Sequence, residues 1–224
     1  MNTLNHIAFI MDGNGRWGLR KKKNRNFGHF KGVEVVKKVV SASIELKIPI
    51  VTFFVFSSEN WKRPKNEIKY LFNLINLYFK KEIKNILNQG IKIHIIGRIK
   101  NLPIKIKNIL KLAELKTKKN KKIIVNLAIN YGSRNEIIDC IKRIKFNSKK
   151  INEKNINNNL SLKKPFPEIL IRTGGHRRLS NFLLWQLAYT ELYFLRKLWP
   201  EFSKKDLVKV INDYKNVKRN FGGV

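Results

Sequence analysis

The stretch HIAFIMDGNGR, residues 6–16, decides the fold. Its apolar run ends in Asp12, and Gly13 and Gly15 follow on either side of Asn14. This order predicts a buried strand that opens into a tight turn at the start of a helix. Because glycine has no Cβ atom, an anion can approach the N–H groups of the turn, and the helix adds the positive end of its dipole. The stretch indicates either a phosphate site or a purely structural turn, and at this point both interpretations stay open.

The composition indicates one folded domain, residues 1–224, in a reducing compartment. Hydrophobic residues make up 43% of the chain, which excludes disorder throughout. The single cysteine, Cys140, excludes an internal disulfide, and no Cys/His cluster points to zinc or an iron–sulfur centre. The sequence shows neither a signal peptide nor an apolar run of membrane-span length. We therefore expect a cytoplasmic protein that is soluble or peripheral to the inner face of the plasma membrane.

The charge is extreme, with 48 Lys and Arg against 15 Asp and Glu, a net charge of +33. Nucleic acid and anionic membranes both attract dispersed cations. However, lysine accumulates together with asparagine and isoleucine in every segment, as an A/T-rich coding sequence would produce. No nucleic-acid-binding module accompanies the charge. We interpret most of it as compositional drift and expect no specific nucleic acid partner, while peripheral contact with an anionic membrane stays open.

Apolar runs and amphipathic segments alternate along the chain. Strands are predicted at the start of 6–16 and at 50–56, 91–97, 122–134 (with its turn), 168–175 (with its glycines) and 191–195. Helices are predicted at 31–46, 66–88, 103–115, 135–144, 180–189 and 203–221. Residues 145–164, rich in Lys and Asn, are interpreted as a mobile surface connection. This alternation predicts a single α/β domain with a mostly parallel central sheet of about six strands flanked by helices.

Three predicted strand exits, residues 12–16, 57–63 and 172–180, carry the chemistry of phosphate binding. The exits of parallel strands meet at one edge of a sheet, so these segments can share one ligand. Guanidinium groups match phosphate oxygens bidentately, which favours a substrate with several negative charges, or two substrates. The arginines at or near these exits are Arg16, Arg25, Arg63, Arg172, Arg177 and Arg178.

Two further features extend this site. Asp12, Glu59 and Glu191 are carboxylates near strand ends, and Mg2+ commonly takes one or two protein carboxylates beside phosphate oxygens and water. The helix at 66–88 has an unusually wide apolar face, which indicates either plain core or the wall of an apolar cavity. A diphosphate with a long hydrocarbon tail would use both the cationic edge and the apolar wall.

Six sequence blocks with the pattern of a known family occur in order along the chain. They are HIAFIMDGNGRW, RxFGHxxG, FxFSSENWKRP, NYGSR, IRTGG with RLSNFLLWQ, and AYTELYF before LWP, and together they span residues 6–223. The set resembles the signature blocks of the cis-prenyltransferases of the bacterial undecaprenyl diphosphate synthase type. The resemblance implies a parallel α/β sheet with a hydrophobic tunnel, and a homodimer. It also implies Mg2+-dependent extension of farnesyl diphosphate by isopentenyl diphosphate to a long polyprenyl diphosphate, the lipid carrier of peptidoglycan and cell wall synthesis.

The resemblance also implies roles for single residues. Asp12 matches the catalytic aspartate that works with Mg2+, and Glu191 matches the second acidic residue at the metal. The pocket for the allylic diphosphate is implied at Gly13, Asn14, Gly15, Arg16, Trp17, Arg25 and His29. The isopentenyl diphosphate site is implied at Arg172, Arg178 and Ser180. The flexible loop over the substrates is implied at Ser57, Glu59, Asn60, Trp61 and Arg63, with Asn60 as a second catalytic residue, and Val55 with the helix from 66 onward would line the tunnel.

Two positions depart from the family pattern. His176 stands where the family usually has a glutamate, and Asn220 stands in place of the C-terminal arginine, with Arg219 one position early. We therefore expect a retained but weakened site, for which Arg177 or Arg219 compensates. Two alternatives stay open: a weakened or partner-dependent subunit, and an enzyme with a shorter product whose tunnel is closed early by bulky residues such as Phe54 and Phe72.

Overall fold

A central sheet of six parallel strands organises the chain, whose computed structural model describes residues 4–21 and 23–218. The strand order is β3-β4-β2-β1-β5-β6, and every neighbouring pair runs parallel. The strands are β1 (His6–Ile10), β2 (Ile50–Ser57), β3 (Ile91–Ile96), β4 (Ile123–Tyr131), β5 (Ile169–Arg172) and β6 (Glu191–Phe194). All five residues of β1 are buried, as expected of a strand that is covered on both faces. The predicted α/β class and the parallel sheet are confirmed.

Seven α-helices cover the two faces of the sheet within the described residues. They are α1 (Asn14–Arg20), α2 (Arg25–Glu45), α3 (Lys65–Asn88), α4 (Ile104–Thr117), α5 (Ser133–Phe146), α6 (Glu153–Asn159) and α7 (Lys204–Lys215). Helices α2, α3, α4 and α7 pack their apolar faces into the main core cluster, while α5 and α6 form a separate cluster. No helix among the described residues combines the length and apolarity that a membrane span requires.

The predicted helix at 180–189 is wrong. Ser180, Asn181 and Leu183 have φ angles of 50°, 62° and 47°, so the backbone enters the left-handed region three times within four residues. An α-helix cannot continue through such residues, and the segment forms successive turns instead. Phe182, Leu183 and Leu187 are nevertheless buried in a second core cluster, and Phe182 stacks on Phe54 of β2. The helical spacing of these residues reflected core contacts made from turns.

Residues 145–164 contain more structure than a surface connection needs. Helix α6 lies within them, and Ile156 and Leu160 are buried against Cys140 and Ile144 of α5. The segment thus contributes to a small core cluster of its own. The predicted mobility of this segment stays a prediction.

A row of buried polar side chains crosses the sheet on the face that bears the second core cluster. His6 lies with one ring nitrogen, Nδ1, 2.9 Å from the carbonyl oxygen of Pro165 and the other, Nε2, 2.6 Å from the Thr52 hydroxyl. Asn126 donates to the same hydroxyl at 2.9 Å. Burial lowers the pKa of His6 to about 4, so the imidazole is neutral at pH 7. Because only Nδ1–H can donate to a carbonyl, these contacts assign the proton of the neutral ring to Nδ1.

Candidate active site

The carboxyl ends of β1, β2 and β5 bring the three predicted segments together around one cleft of about 650 Å³. Ten of the predicted site residues line this cleft. They are Asp12, Asn14, His29, Ser57, Glu59, Asn60, Arg63, Arg172, Arg178 and Ser180. The expectation that these exits meet at one sheet edge is thereby confirmed, since parallel strands deliver their C-terminal loops to the same side.

Asp12 lies at the centre of a cationic group on one side of the cleft. The Arg172 guanidinium donates to Asp12 Oδ2 at 3.0 Å, and Arg16 donates to Asp12 Oδ1 at 3.2 Å. The backbone around Asp12 is fixed as well, because the Thr173 hydroxyl and the Trp199 N–H both donate to its carbonyl oxygen, at 2.8 and 3.0 Å. The Asp12 side chain is still 28% exposed, so its carboxylate remains accessible from the cleft.

Arg172 is the buried member of this group. It ends strand β5, and its side chain is only 4% exposed. Besides Asp12, its guanidinium donates to the Ser180 hydroxyl at 2.8 Å and to the Arg178 carbonyl oxygen. Its Nε is buried and has no hydrogen-bond acceptor among the described residues. Burial lowers the pKa of Arg172, while the adjacent carboxylate raises it. One donor of this cation is therefore still unsatisfied.

Glu67 forms the centre of a second cationic group, which the sequence analysis missed. Arg25 donates to it from Nε at 3.0 Å, Arg63 donates at 3.1 Å, and His29 Nε2 lies 3.2 Å away. The Glu67 side chain is 8% exposed. Burial alone would raise its pKa, but the hydrogen bonds and charges of the two arginines together outweigh burial, so the pKa of Glu67 is lowered. Glu67 therefore fixes three residues that were predicted to bind substrate.

The loop after β2 is folded as a short 3₁₀ turn, Ser58–Lys62, and Glu59 and Trp61 attach it to other parts of the molecule. Glu59 accepts a hydrogen bond from the Asn181 side chain at 2.8 Å. Trp61 donates from Nε1 to Asn130 at 2.8 Å, and its ring packs on Phe56. Burial opposes ionisation of Glu59, but its hydrogen bonds outweigh burial and lower the pKa. In this conformation the loop forms one wall of the cleft.

The glycine turn after Asp12 has a steric reason for its composition. Gly13 has a φ angle of 106°, and a Cβ atom there would come within 2.7 Å of Leu198. Helix α1 begins at Asn14, directly after this turn, as predicted. Trp17 lies away from the cleft, with its ring stacked on Phe27 at a centroid distance of 5.7 Å. For Gly13, Gly15 and Trp17, a role in binding substrate stays a prediction.

An apolar cavity of about 120 Å³ adjoins the cleft, and the two share lining residues, among them His29 and Val55. The wide face of α3 forms one wall of this cavity through Leu74, Ile75, Tyr78 and Phe79. Neither Phe54 nor Phe72 lies in that wall. Phe54 stacks on Phe182 at 4.4 Å, and Phe72 packs against Phe56 and Trp61. Phe54 instead lines the adjoining cleft, and whether Phe54 and Phe72 limit the length of the product stays a prediction.

The structure does not bring Glu191 to Asp12. Glu191 is the first residue of β6 and pairs with Ile169, the first residue of β5. Asp12 instead follows the last residue of β1, Ile10, which pairs with Arg172 at the C-terminal end of β5. At about 3.3 Å per strand residue, the two carboxylates are separated by roughly 10 Å or more. The register therefore does not bring these two carboxylates together within the chain, and a role for Glu191 at a metal stays a prediction. Among the described residues, no group of three or more His, Cys, Asp and Glu side chains converges on a point.

Some predicted residues lie outside the cleft, and some residues that line it were not predicted. His176 and Arg177 are exposed and do not line the cleft. Arg219 and Asn220 lie outside the described residues. Arg134 and Asn181 line the cleft although they were not among the predicted site residues. Arg134 follows the exit of β4 at the same sheet edge, and applying the exit rule to the block NYGSR would have found it.

Two solved diphosphate synthases share this fold and define its class. Lavandulyl diphosphate synthase from Lavandula x intermedia, solved in complex with dimethylallyl diphosphate, superposes with a TM-score of 0.94 at 31% identity, covering 99% of both chains. A probable undecaprenyl diphosphate synthase from Campylobacter jejuni superposes with a TM-score of 0.87 at 35% identity over the full length of both chains.

Sequence comparison narrows the class to a family. The family model described as putative undecaprenyl diphosphate synthase matches residues 10–222. An isoprenyl transferase from Prochlorococcus marinus is 45% identical over 98% of this chain and 84% of its own length. The chain belongs to the undecaprenyl diphosphate synthase family of prenyltransferases, and it is a transferase of isoprenoid biosynthesis. The resemblance inferred from the sequence blocks is thereby confirmed.

Proposed function

We propose that this protein condenses isopentenyl diphosphate with an allylic diphosphate, farnesyl diphosphate, in a reaction that depends on Mg2+. We further propose that repeated additions give a long cis-polyprenyl diphosphate, undecaprenyl diphosphate, which serves as the lipid carrier of cell wall synthesis. The observation that carries the proposal is the cleft itself: an accessible Asp12 flanked by arginines opens directly onto an apolar cavity. A substrate with a charged head and an apolar tail fits both parts.

The two substrates are assigned to the two sides of the cleft. The allylic diphosphate is assigned to the turn after Asp12, with Arg16 and Arg25 as its cations and its hydrocarbon tail in the apolar cavity. Isopentenyl diphosphate is assigned to Arg172, Arg178 and Ser180. The unsatisfied Nε of Arg172 supports this second assignment, because a buried guanidinium donor calls for an anionic acceptor. That the related lavandulyl diphosphate synthase was solved with dimethylallyl diphosphate supports an allylic diphosphate in this fold.

The residues of the cleft fit Mg2+ carried in by a diphosphate. Asp12 presents an accessible carboxylate oxygen pair, and the described chain offers no multi-carboxylate cage around it. Mg2+ commonly takes one or two protein carboxylates and completes its octahedron with phosphate oxygens and water, which is what a lone aspartate allows. Asp12 would hold the ion, which when bound neutralises charge that develops on the leaving diphosphate.

The proposed step forms one carbon–carbon bond and breaks one carbon–oxygen bond. The double bond of isopentenyl diphosphate attacks the allylic carbon, diphosphate leaves, and loss of a proton gives a new cis double bond. Arg16 and Arg25 would stabilise charge on the departing oxygen, since fixed cations in a cleft stabilise developing charge more than water does. The loop that carries Asn60 and Trp61 would exclude water and hold the two reactants close together.

The proposal extends to assembly and location. We propose a homodimer in the cytoplasm with peripheral contact to the inner face of the plasma membrane. Edge strand β6 supports a dimer, since Leu192 is exposed on it, no strand within residues 4–21 and 23–218 pairs with its outer side, and apolar groups at such an edge favour association. Two alternatives remain within the same class: an enzyme with a shorter product, and a subunit that needs a partner.

The first experiment is incorporation of radiolabelled isopentenyl diphosphate onto farnesyl diphosphate with Mg2+, with products resolved by length and Asp12→Ala assayed in parallel. The proposal predicts a ladder ending in a long polyprenyl product that disappears with EDTA and in the variant. A ladder that stops early would establish the shorter-chain alternative. No incorporation by the folded protein would overturn the catalytic proposal and would favour a partner-dependent subunit.

A further inference from the structure

The surface of α4 and of the turn that follows it is unusually basic even for this chain. Residues 104–122 contain eight lysines and a single acid, Glu114. The Glu114 carboxylate accepts a hydrogen bond from the Ile95 N–H at 2.7 Å, so it is directed at strand β3 and away from solvent. The lysines are Lys105, Lys107, Lys111, Lys116, Lys118, Lys119, Lys121 and Lys122.

The other long helices pair part of their basic residues with acids. On α2, Lys37 forms an ion pair with Glu82 of α3 at 2.7 Å. On α7, Lys204 forms an ion pair with Glu45. In contrast, none of the ion pairs within residues 4–21 and 23–218 involves a lysine from 104–122. Compositional drift explains a surplus of lysine everywhere. It does not explain why one long helix directs no acidic side chain toward solvent.

The same face of α4 also exposes large aliphatic side chains. Ile104 is 64% exposed, Leu115 is 61% exposed and Leu112 is 43% exposed. With 3.6 residues per turn, these three positions and Lys111 fall on one side of the helix, whereas Leu110 and Ala113 on the other side are buried in the core. Aliphatic residues surrounded by lysines are typical of helices that lie in the interface of a membrane.

We propose that this surface, the basic face of α4 formed by residues 104–122, docks on an anionic lipid bilayer. The lysines would contact lipid headgroups, while Ile104, Leu112 and Leu115 would enter the boundary of the acyl chains. A nucleic acid would satisfy the charge but would leave the three aliphatic side chains in water, so lipid is the better match. The inference rests on the proposed function for its biological use, because an apolar product has to reach a membrane, but its test needs no substrate.

The test is co-sedimentation of the purified full chain with vesicles of phosphatidylglycerol and phosphatidylcholine, compared with vesicles of phosphatidylcholine alone. The critical variant is Lys111→Gln with Lys116→Gln. Its matched control is Lys205→Gln with Lys209→Gln on α7, which removes the same charge from two exposed lysines elsewhere. Since each lysine near an anionic surface contributes about fivefold to binding, we expect the α4 pair to weaken binding roughly 30-fold and the α7 pair only a few fold.

A second pair of variants tests the aliphatic contribution. Ile104→Gln with Leu115→Gln should weaken binding to anionic vesicles, and the loss should persist at 1 M salt, where the Debye length is about 3 Å and charge effects are screened. Phe146→Gln is the control, because Phe146 is 89% exposed on α5 in a different part of the molecule. It should bind like the unaltered chain.

Several outcomes would overturn the inference. They are no binding to anionic vesicles, equal losses for the α4 and α7 lysine pairs, and a loss for Phe146→Gln as large as that for the aliphatic α4 pair. Loss of binding to duplex DNA with unchanged vesicle binding in the α4 lysine variant would also overturn it and would assign the face to nucleic acid. Prenyltransfer by each variant is measured separately with detergent-dispersed substrates, so that failure of membrane docking and failure of the proposed reaction are distinguished.

Discussion

Asp12 and Glu67 each bind a group of cations beside the same cleft. The two carboxylates differ in how accessible their oxygens are from the cleft. Asp12 contacts two guanidinium groups and is 28% exposed, whereas Glu67 contacts two guanidiniums and an imidazole and is 8% exposed. Asp12 can therefore still accept a ligand from the cleft, while the oxygens of Glu67 are occupied by protein donors. Asp12 is therefore free for the role that the proposed function gives it, whereas Glu67 positions its three partners.

Replacing Asp12 by asparagine should have the largest effect on activity. The new amide would keep an oxygen acceptor for Arg172 but would lose the charge that holds Mg2+, and removal of one fixed electrostatic contact typically costs about 10² to 10³ in kcat. Because Asp12 is partly exposed but its partner Arg172 is buried and loses its counter-charge, the loss in stability should be about 2 kcal/mol. Steady-state kinetics and urea unfolding of Asp12→Asn check both parts. A variant with at least roughly a tenth of the normal kcat would end the assignment of chemistry to Asp12.

Acid should destabilise the protein mainly through His6 and not through the Glu67 group. Burial holds the pKa of His6 at about 4, against about 6.5 in the unfolded chain. The contribution of His6 to the free energy of unfolding is therefore fully present above pH 6.5. It falls by about 3 kcal/mol as the pH is lowered toward 4. The pKa of His29 is also lowered by burial, although the hydrogen bond and charge of Glu67 counteract this.

Urea unfolding at pH 7.5, 5.5 and 4.5 measures this difference between the two histidines. His6→Gln should flatten the acid limb of the stability curve, and His29→Gln should leave most of its slope. The reverse result would mean that the Glu67 group is the acid-sensitive part of the molecule. It would contradict the role of Glu67 as the stable centre of its group of cations.

Replacing Glu67 by glutamine should lower the free energy of unfolding and raise KM, while kcat stays nearly normal. The neutral amide would no longer attract Arg25 and Arg63, but these arginines are about half and one-third exposed, so the expected loss is only about 2 kcal/mol. With its cations misplaced, the variant should show a raised KM and a nearly normal kcat. Glu34→Gln is the matched control, since its exposed pair with Lys31 should contribute less than about 0.5 kcal/mol. A fall in kcat as large as that of Asp12→Asn would remove the distinction between the two carboxylates.

The two carboxylates also show what a sequence can reveal and where it stops. Asp12 lies in a contiguous motif at the end of an apolar strand, so its position follows from local pattern and from the rule for parallel strand exits. Glu67 lies in the first turn of α3, and its partners come from two other segments, Arg25 and His29 on α2 and Arg63 in the loop after β2. No local sequence pattern predicts such a site, because its contacts form only when α2 and α3 pack together.

The same limit explains the other differences between expectation and structure. Apolar runs located the strands well, because strands covered on both faces are continuously apolar. The turns at 180–189 were missed because residue type does not signal the positive φ angles at Ser180 and Leu183; Leu183 is buried in the second core cluster, and Ser180 accepts a hydrogen bond from Arg172. The separation of Glu191 from Asp12 was missed because a residue at the start of a strand and one after the end of a strand lie at opposite edges, whatever motif each belongs to.

The loop between the two groups should respond least to substitution. Trp61→Phe removes the hydrogen bond from Nε1 to Asn130 and keeps an aromatic ring against Phe56 and Phe72, so the expected loss in stability is about 1 kcal/mol or less. Because Arg63 follows in the same loop and contacts Glu67, a freed loop should raise KM a few fold without changing the Asp12 side of the cleft. Steady-state kinetics of Trp61→Phe measure this. The control is Asn130→Asp, which keeps the oxygen acceptor for Nε1 but loses the donation to the Arg98 carbonyl oxygen. An increase in KM for Trp61→Phe that Asn130→Asp does not share would attribute the effect to the hydrogen bond from Nε1. A large fall in kcat would mean that Trp61 acts on the reacting atoms, which a ring packed on Phe56 and bonded to Asn130 is not placed to do.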